Sequence, residues 1–269
     1  ADDATPCVVL CDLDGVVWLA NHPIPGSVEA IAAMRSQGHR VLFVTNNSSV
    51  LLEDQQQALA AIGIPAEGDV LTSAQAAALL VQPGERVHVC GGPGVVQALR
   101  ARGAEIVGHG PVDVVVVGFH RDFDYDGLSS AASAVRRGAR LIGTNDDATY
   151  PTPNGPIPGC GAILAAVAVA GGATPVVAGK PYPPMVALVA STVGAEAARH
   201  AVMVGDRPDT DGRFAAAIGC RFALVWTGVT AAGAKVTPAP DYAVADLAAV
   251  AKLLPALSPG ATAQASDVG

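Results

Sequence analysis

Cys11-Asp12-Leu13-Asp14-Gly15-Val16 follows directly on the apolar run from Cys7 to Leu10. A strand of that length ending at a glycine turn delivers two carboxylates, one residue apart, to its carboxyl end. In open α/β sheets that edge is where ligands bind. Carboxylates at this spacing attract a divalent cation, and they can divide between them the roles of nucleophile and general acid. An Asp- and Gly-rich surface turn has the same wording, so this run decides nothing until the rest of the chain is read.

Three further segments give it a context. Leu42-Phe43-Val44-Thr45-Asn46-Asn47 is another short apolar strand, ending in a hydroxyl and two amides, and Val177-Ala178-Gly179-Lys180-Pro181 sets one lysine ahead of an expected helix. Ala201-Val202-Met203-Val204-Gly205-Asp206-Arg207-Pro208-Asp209-Thr210-Asp211 again passes from strand to acidic turn, with Asp206 and Asp211 spaced to reach one point from either side. In this order the four segments resemble the four motifs of the haloacid dehalogenase (HAD) superfamily. The wording DLDGV, TNN, GKP and GDRPDTD is similar to the capped phosphatases of that superfamily: p-nitrophenyl phosphatase, phosphoglycolate phosphatase, glycerol-3-phosphate phosphatase and pyridoxal phosphatase. The resemblance runs from Val8 to Leu254. Pro208 departs from the leucine usual after GDR, which bears on the shape of that loop.

Short Val-rich strands alternate with Ala-rich helices along the chain, the pattern of βα units in a parallel sheet. Strands are expected at Cys7–Leu10, Arg40–Thr45, Asp69–Thr72, Val87–Cys90, Val112–Gly118, Arg140–Thr144, Ala201–Val204 and Arg221–Trp226, with helices between them, including one from Asp211 to Ile218. The series from Arg86 carries no acidic motif of its own, and Gln82-Pro83-Gly84 marks a boundary before it. The fold class expected from the resemblance is α/β: a Rossmann-like HAD core with a parallel sheet, residues 1–81 and 175–257, plus an inserted α/β cap domain, residues 82–174. Residues 258–269 are small and polar and are expected to form a flexible tail.

Composition narrows the classes. The chain has 269 residues, half of them apolar, enough to bury a substantial core. Net charge is −8, with 24 acids against 16 scattered bases, which disfavours nucleic acid as a partner. The most apolar helix, Ala162 to Ala170, is too short to cross a bilayer, so no membrane partner is expected. Cys7, Cys11, Cys90, Cys160 and Cys220 show no CxxC spacing and read as reduced thiols of a cytoplasmic protein; no signal peptide is expected. His22, His39, His88, His109, His120 and His200 share no spacing that suggests a site.

What the resemblance implies about chemistry is specific. Asp12 is the nucleophile, attacking phosphorus to give an aspartyl-phosphate, and Asp14 is the general acid and then the base. Thr45 and Asn46 hold the non-bridging oxygens, and Lys180 pairs with phosphate and with Asp12. A phosphate dianion repels carboxylates, so Asp12, Asp14, Asp206 and Asp211 require a cation; Mg²⁺ suits an all-oxygen site. Asp14 contributes to the metal through its main-chain carbonyl. Asp206 is the direct ligand, while Asp211 is an outer ligand or simply the cap of the helix that it begins.

Gly143 to Pro151, followed by Gly155 and Pro158-Gly159-Cys160-Gly161, resembles the substrate-specificity loop of such caps, with Asn145, Asp147 and Tyr150 facing substrate; by composition it is equally a long Pro/Gly loop. Tyr150 stands where pyridoxal phosphatases carry His, which counts against pyridoxal 5'-phosphate. The loop has no base for a carboxylate such as that of phosphoglycolate. The expected partner is therefore a small phosphorylated metabolite, with glycerol 3-phosphate first, and a homodimer formed through the cap is expected as well. Among other classes, Cys90-Gly91-Gly92-Pro93-Gly94 lacks the third glycine of a dinucleotide fingerprint. A dehalogenase would not need Asp14, and a phosphomutase usually goes with a small helical cap. A non-catalytic phosphometabolite-binding module is the remaining alternative.

Overall fold

A computed structural model of the chain describes residues 6–152 and 154–257; the expected tail, 258–269, lies outside the described residues. Val8–Cys11 is the central strand of a six-stranded parallel sheet. Across the sheet the order is Tyr242–Val244, Arg221–Val225, Val202–Gly205, Val8–Cys11, Arg40–Thr45 and Val70–Thr72. Val9 lies opposite Val202 on one side and Val41 on the other. Every residue of Val8–Cys11 and of Val202–Gly205 is buried, as expected of parallel strands covered on both faces.

Side chains alternate between the faces. Val8 and Leu10 enter one core together with Leu42, Val44, Met203 and Phe214. Val9 and Cys11 enter another, with Phe43, Val202 and Val204, where the helices Ser27–Ser36 and Leu247–Leu257 supply Ile31, Met34 and Val250.

A second sheet, also parallel, runs Val176–Val177, Arg140–Gly143, Val114–Val117, Arg86–Cys90, Glu105–Ile106. One face carries the helices Tyr125–Arg136 and Cys160–Gly171. The other shares the first core: Val87, Val114, Val116 and Ile142 join a cluster with Ala74, Ala76, Ala77, Ala78 and Val81. These alanines belong to the helix Ser73–Ala78, which starts at a reciprocal cap. Thr72 Oγ1 accepts from Gln75 N at 3.2 Å, and Gln75 Oε1 accepts from Thr72 N at 2.8 Å. Such a cap satisfies donors that a short helix would otherwise leave open, and alanine lets the two units approach closely.

The structure adds elements that the sequence pattern did not reveal. Two-residue strands at Trp18–Leu19, His22–Pro23, Glu105–Ile106, Thr149–Tyr150, Ile157–Pro158 and Val176–Val177 are too short to show a period. Val176–Val177 pairs with Arg140–Gly143, so the second sheet draws on residues past the expected limit of 174. Tyr242–Val244 extends the first sheet at its edge, and Ala195–Arg199 forms a further short helix beyond Gly194. The expected helix from Asp211 begins instead at Arg213, after a wide π turn over Pro208–Gly212. No disulfide joins the five cysteines, and no helix of the described residues is long and apolar enough to cross a membrane.

The hairpin Trp18–Leu19/His22–Pro23 turns at Ala20 and Asn21, with φ of +49° and +65°. Asparagine tolerates this region, whereas alanine pays about 1–2 kcal/mol for it. Glycine relieves that strain at an unfolded-state entropy cost of about 0.4–1 kcal/mol. Ala20→Gly is therefore expected to stabilise the protein, by up to about 1.6 kcal/mol on those figures, and urea denaturation of the two proteins measures the difference.

Candidate active site

Strand order reverses at Val8–Cys11: the next strands in sequence lie on one side of it, and Val202–Gly205 lies on the other. A crevice opens at such a point, and both acidic turns leave the sheet there. The ladder continues one residue past the strand, with Asp12 N donating to Val204 O at 2.9 Å, so the Asp12 backbone is held firmly. Gly15, at φ +86°, turns the chain back, and a Cβ there would meet the Asp206 carboxylate. A Cβ at Gly228 would collide with the same group. Glycine at both positions makes room for Asp206.

Lys180 is the largest charged side chain in the interior, 1% exposed. Its Nζ stands 2.9 Å from Asp12 Oδ1 and 2.7 Å from Asp211 Oδ1. Burial alone would lower its pKa, but the two carboxylates outweigh burial and hold the ammonium above its ordinary value. The lysine backbone is fixed as tightly. Lys180 N donates to Asn46 Oδ1 at 2.8 Å, and Asn46 Nδ2 donates to Lys180 O at 3.1 Å. Asp211 spends its other oxygen, Oδ2, on Arg207 N at 3.1 Å. It thus both orients Lys180 and closes the π turn.

Carboxylate oxygens of Asp12, Asp206 and Asp211 lie within 4.8 Å of one another. Asp206 Oδ2 accepts from Val229 N at 2.7 Å, while Oδ1 is buried with no hydrogen-bond partner among the described residues. A buried carboxylate oxygen without a donor is costly, and a hard divalent cation meets that need. The donor set, all oxygen and anionic, suits such an ion. The Asp14 carboxyl stands outside this trio. Burial, then Asp12 and Asp206, push its pKa up to about 7 against the hydrogen bond from Trp18, a value matched to giving and taking protons near neutrality. Burial, then Asp12, likewise raises Asp206.

Asp12, Asp14, Thr45, Asn46, Lys180, Asn145, Asp147 and Tyr150, all eight expected site residues besides the buried Asp206 and Asp211, line a single cavity of about 60 Å³. Thr45 Oγ1 accepts from Asn47 N at 3.0 Å. Asn46 and Asn145 turn out to be clamps between the two sheet units. Asn46 Nδ2 reaches Asp147 Oδ2 at 3.1 Å, and Asn145 Nδ2 donates to Asn46 O at 2.7 Å. The Asn46 side chain is thus fully engaged, which leaves its main-chain N–H for a bound oxygen. Asp147 is raised by burial, against Asn46, Arg207 and Lys180.

Residues that the sequence pattern did not single out complete the wall. Phe119 stacks on Tyr150, with ring centroids 4.7 Å apart. Arg207 lines the cavity and forms no side-chain ion pair or hydrogen bond among the described residues. The segment after Arg221–Val225 braces both acidic turns, Thr227 Oγ1 donating to Gly15 O at 2.6 Å and Thr230 Oγ1 to Asp206 O. Only the Arg beside Asp206 carried any signal in the sequence; Phe119, Thr227 and Thr230 come to the site through tertiary packing. No histidine lines the cavity.

The comparisons with known proteins fit this geometry. Residues 9–105 match the family described as haloacid dehalogenase-like hydrolase, and residues 177–250 match one described as HAD-hydrolase-like. An acid sugar phosphatase of Staphylococcus saprophyticus is 37% identical over 91% of this chain and 96% of its own length. A D-glycerol 3-phosphate phosphatase of Mycobacterium tuberculosis is 39% identical over 83% of this chain, which spans 64% of that protein's length. Among solved structures, the p-nitrophenyl phosphatase of Archaeoglobus fulgidus superposes with a TM-score of 0.83 at 31% identity, covering 92% of this chain and 98% of its own. A glycerol phosphate phosphatase of Mycobacterium tuberculosis in complex with magnesium gives 0.82 at 35%, covering 98% and 82%. With its two acidic turns on either side of one crevice and a second α/β unit closing over them, the chain belongs to the haloacid dehalogenase-like hydrolases, among their capped phosphatases.

Proposed function

We propose that the protein hydrolyses a small phosphate monoester through an aspartyl-phosphate on Asp12, with Mg²⁺ as its metal. The observation that carries this reading is Lys180 Nζ, held 2.9 Å from Asp12 Oδ1 and 2.7 Å from Asp211 Oδ1 at the floor of the cavity. A buried ammonium aims Asp12 while adding positive charge where a phosphate dianion must sit. Asp12 attacks phosphorus, and the bond to the ester oxygen breaks. Asp14, protonated in part at neutral pH, gives its proton to the departing alkoxide. Water then attacks the acyl phosphate as Asp14 takes a proton from it, and Asp12 is released with inorganic phosphate. Asp12 and Asp206, with the Asp14 main-chain carbonyl, would hold the cation, and Asp211 would tune it from outside. When bound, the ion supplies neutralisation of the carboxylate cluster and of the phosphoryl oxygens. Thr45 and the Asn46 N–H hold non-bridging oxygens, and Arg207, whose charge already acts on Asp14 and Asp206, adds charge to the phosphoryl side.

The residues 1–81 and 175–257 then act as the chemical core and 82–174 as the cap, in a cytoplasmic enzyme that pairs through its caps; Val169, exposed on the cap unit, supports that pairing. Glycerol 3-phosphate is the leading substrate. Asn145, Asp147 and Tyr150 offer hydrogen bonds to a polyol, and the glycerol phosphate phosphatases among the relatives support the choice. Burial, then Asp14, pushes the Tyr150 phenol up to about 12, so it meets substrate as a neutral donor. Phosphoglycolate and pyridoxal 5'-phosphate fit the loop less well, and a non-catalytic binding module would have no use for the Asp12, Asp14 and Lys180 arrangement.

Three outcomes are expected. Asp12→Asn should abolish release of phosphate from p-nitrophenyl phosphate while circular dichroism stays native; full turnover would refute the covalent mechanism. Chelation should silence the enzyme and Mg²⁺ restore it, and the stabilisation by Mg²⁺ should depend on pH. Folding without metal raises the pKa of Asp206 above its ordinary 3.8; the stability this group contributes is present at low pH and lost as pH rises through the folded value. Metal binds the ionised form, so the rise in Tm on adding Mg²⁺ should be larger at about pH 7.5 than at about pH 5. An equal rise at both would exclude Asp206 as a ligand. Finally, Asp147→Ala and Tyr150→Phe should raise KM for glycerol 3-phosphate by about 1–3 kcal/mol, with less effect on p-nitrophenyl phosphate. An unaltered ratio of kcat/KM between the substrates would return the 143–151 loop to a purely structural role.

A further inference from the structure

Cys90-Gly91-Gly92-Pro93-Gly94 has no place in the chemistry above. In a dinucleotide-binding fold such a turn would offer a phosphate the N-terminus of the helix that follows it, here Pro93–Ala101. In this protein a stretch of its own backbone takes that place. Gly94 N donates to Ser49 O at 3.3 Å. A Cβ on Gly94 would collide with the carbonyls of Ser48 and Val50, and one on Gly92 with Ser49. The two glycines are thus a seat for Ser48 to Val50, the loop that follows Thr45, Asn46 and Asn47. The seat belongs to the second sheet unit and the seated loop to the first.

We propose that Gln97, on the same helix, is a positioning residue for phosphoryl transfer: from the second unit it fixes the loop after Thr45, and through that loop it sets the Thr45 hydroxyl and the Asn46 N–H against the phosphoryl oxygens. The inference rests on the phosphatase reading and deepens it.

The helix Leu52–Ala61 supplies the first support. It starts after Leu51, whose side chain makes no capping bond, so its first N–H groups have no partner from their own segment. Gln97 fills that role from the other unit. Its Oε1 accepts from Leu52 N at 2.9 Å, and its Nε2 donates to Glu53 Oε2 at 2.6 Å. Only one orientation of the amide serves both bonds.

A continuous set of bonds then joins that helix to the site. Gln55, buried in its first turn, donates from Nε2 to Asn47 O at 3.1 Å, and Asn47 N donates to Thr45 Oγ1 at 3.0 Å. Thr45 Oγ1 accepts that bond, which leaves its own proton for a phosphoryl oxygen. Asn47 Oδ1 accepts from Ser49 N at 3.1 Å and from Ser49 Oγ at 2.9 Å, beside the carbonyl that Gly94 holds. The loop is therefore gripped at the glycine seat and at the start of the helix, both times by Pro93–Ala101.

Distance from the chemistry decides what Gln97 can affect. Gly92, Gly94 and Gln97 do not line the catalytic cavity, whereas Thr45, Asn46 and Asn47 do. Gln97 reaches the reaction only through the loop, so its influence falls on the phosphoryl group, which every substrate shares, and not on the alcohol. Asp147 and Tyr150 act on the other part of the substrate, and their replacement leaves a different kinetic signature.

The test measures kcat for p-nitrophenyl phosphate and for acetyl phosphate, inhibition by inorganic phosphate, and Tm, all with Mg²⁺. It compares the wild type with Gln97→Glu, Arg102→Ala and the double variant Gln97→Glu/Glu53→Gln. Gln97→Glu keeps an acceptor for Leu52 N but sets a carboxylate against Glu53. It should lower kcat for both substrates by about tenfold, part of the roughly hundredfold that a misplacement of about 1 Å costs, and weaken inhibition by phosphate in parallel. The double variant again pairs a donor with a carboxylate and should recover most of the loss. Arg102→Ala removes another bond between the units, Nε to Val81 O at 3.2 Å, without touching the loop; it should lower Tm and leave kcat and phosphate inhibition unchanged. A Gln97→Glu protein altered in Tm alone overturns the proposal, because Gln97 is then only a helix cap. An equal loss of kcat in Arg102→Ala overturns it too, as does a double variant no better than the single one. Should Gln97→Glu not fold, Gln97→Met, similar in length but without the amide, reads the same quantities. A wild type inactive on both substrates would instead refute the phosphatase reading, and this inference with it.

Discussion

The Lys180 ammonium, enclosed between Asp12 and Asp211, is the interaction on which the site depends. A lone charge at this depth would be prohibitively costly, and a lone carboxylate beside it equally so. Each partner therefore fixes the others. Asp211 can face inward because Lys180 does, and the π turn over Pro208–Gly212 can stay wide because the second Asp211 oxygen takes the Arg207 N–H. The same lysine ties the fold together through its backbone. Asn46 grips Lys180 N and O while its amide also reaches Asp147 in the other sheet unit, so the placement of the lysine and the docking of the 143–151 loop are set by one side chain.

This coupling gives the two units different kinds of junction. Beneath the site they meet through alanines of Ser73–Ala78, a smooth surface with little to interlock. At the site they meet through polar contacts, among them Asn46 with Asp147, Asn145 with the Asn46 carbonyl, and Ser48 with Thr144 at 2.9 Å. Polar contacts of this kind exchange readily for water or ligand, whereas the alanine seam is bound by burial. Motion between the units, where substrate demands it, would open the polar side and pivot on the apolar one.

Much of this was legible beforehand. The strands carrying Asp12, Thr45 and Asp206 read clearly because parallel strands buried on both faces are written as short, continuous apolar runs, and the acids directly after them had to emerge at one edge. The order of the motifs supplied the lysine. What stayed hidden has a common cause. Phe119, Thr227 and Thr230 lie in segments without period or motif, and reach the cavity only because other elements carry them there. The true role of the Asn46 side chain was equally invisible: sequence places an amide after Thr45, but only the packing of the two units decides that the amide is spent on Lys180 and Asp147. The 143–151 loop does lack a base, yet that says nothing of Arg207, which lines the same cavity from the turn after Asp206.

The strand order has a consequence for how the molecule is made. Val8–Cys11 is made before every strand it pairs with, but one of its two hydrogen-bonded neighbours, Val202–Gly205, comes far later in the sequence. Until that late segment is synthesised, the central strand has an open edge and Asp12 has neither Lys180 nor Asp206 beside it. Contacts so distant in sequence form slowly. The earlier strands of a nascent chain must therefore wait, with an apolar edge exposed, for the strand that completes the sheet, and the cluster of Asp12, Lys180, Asp206 and Asp211 forms at once with it rather than growing in stages.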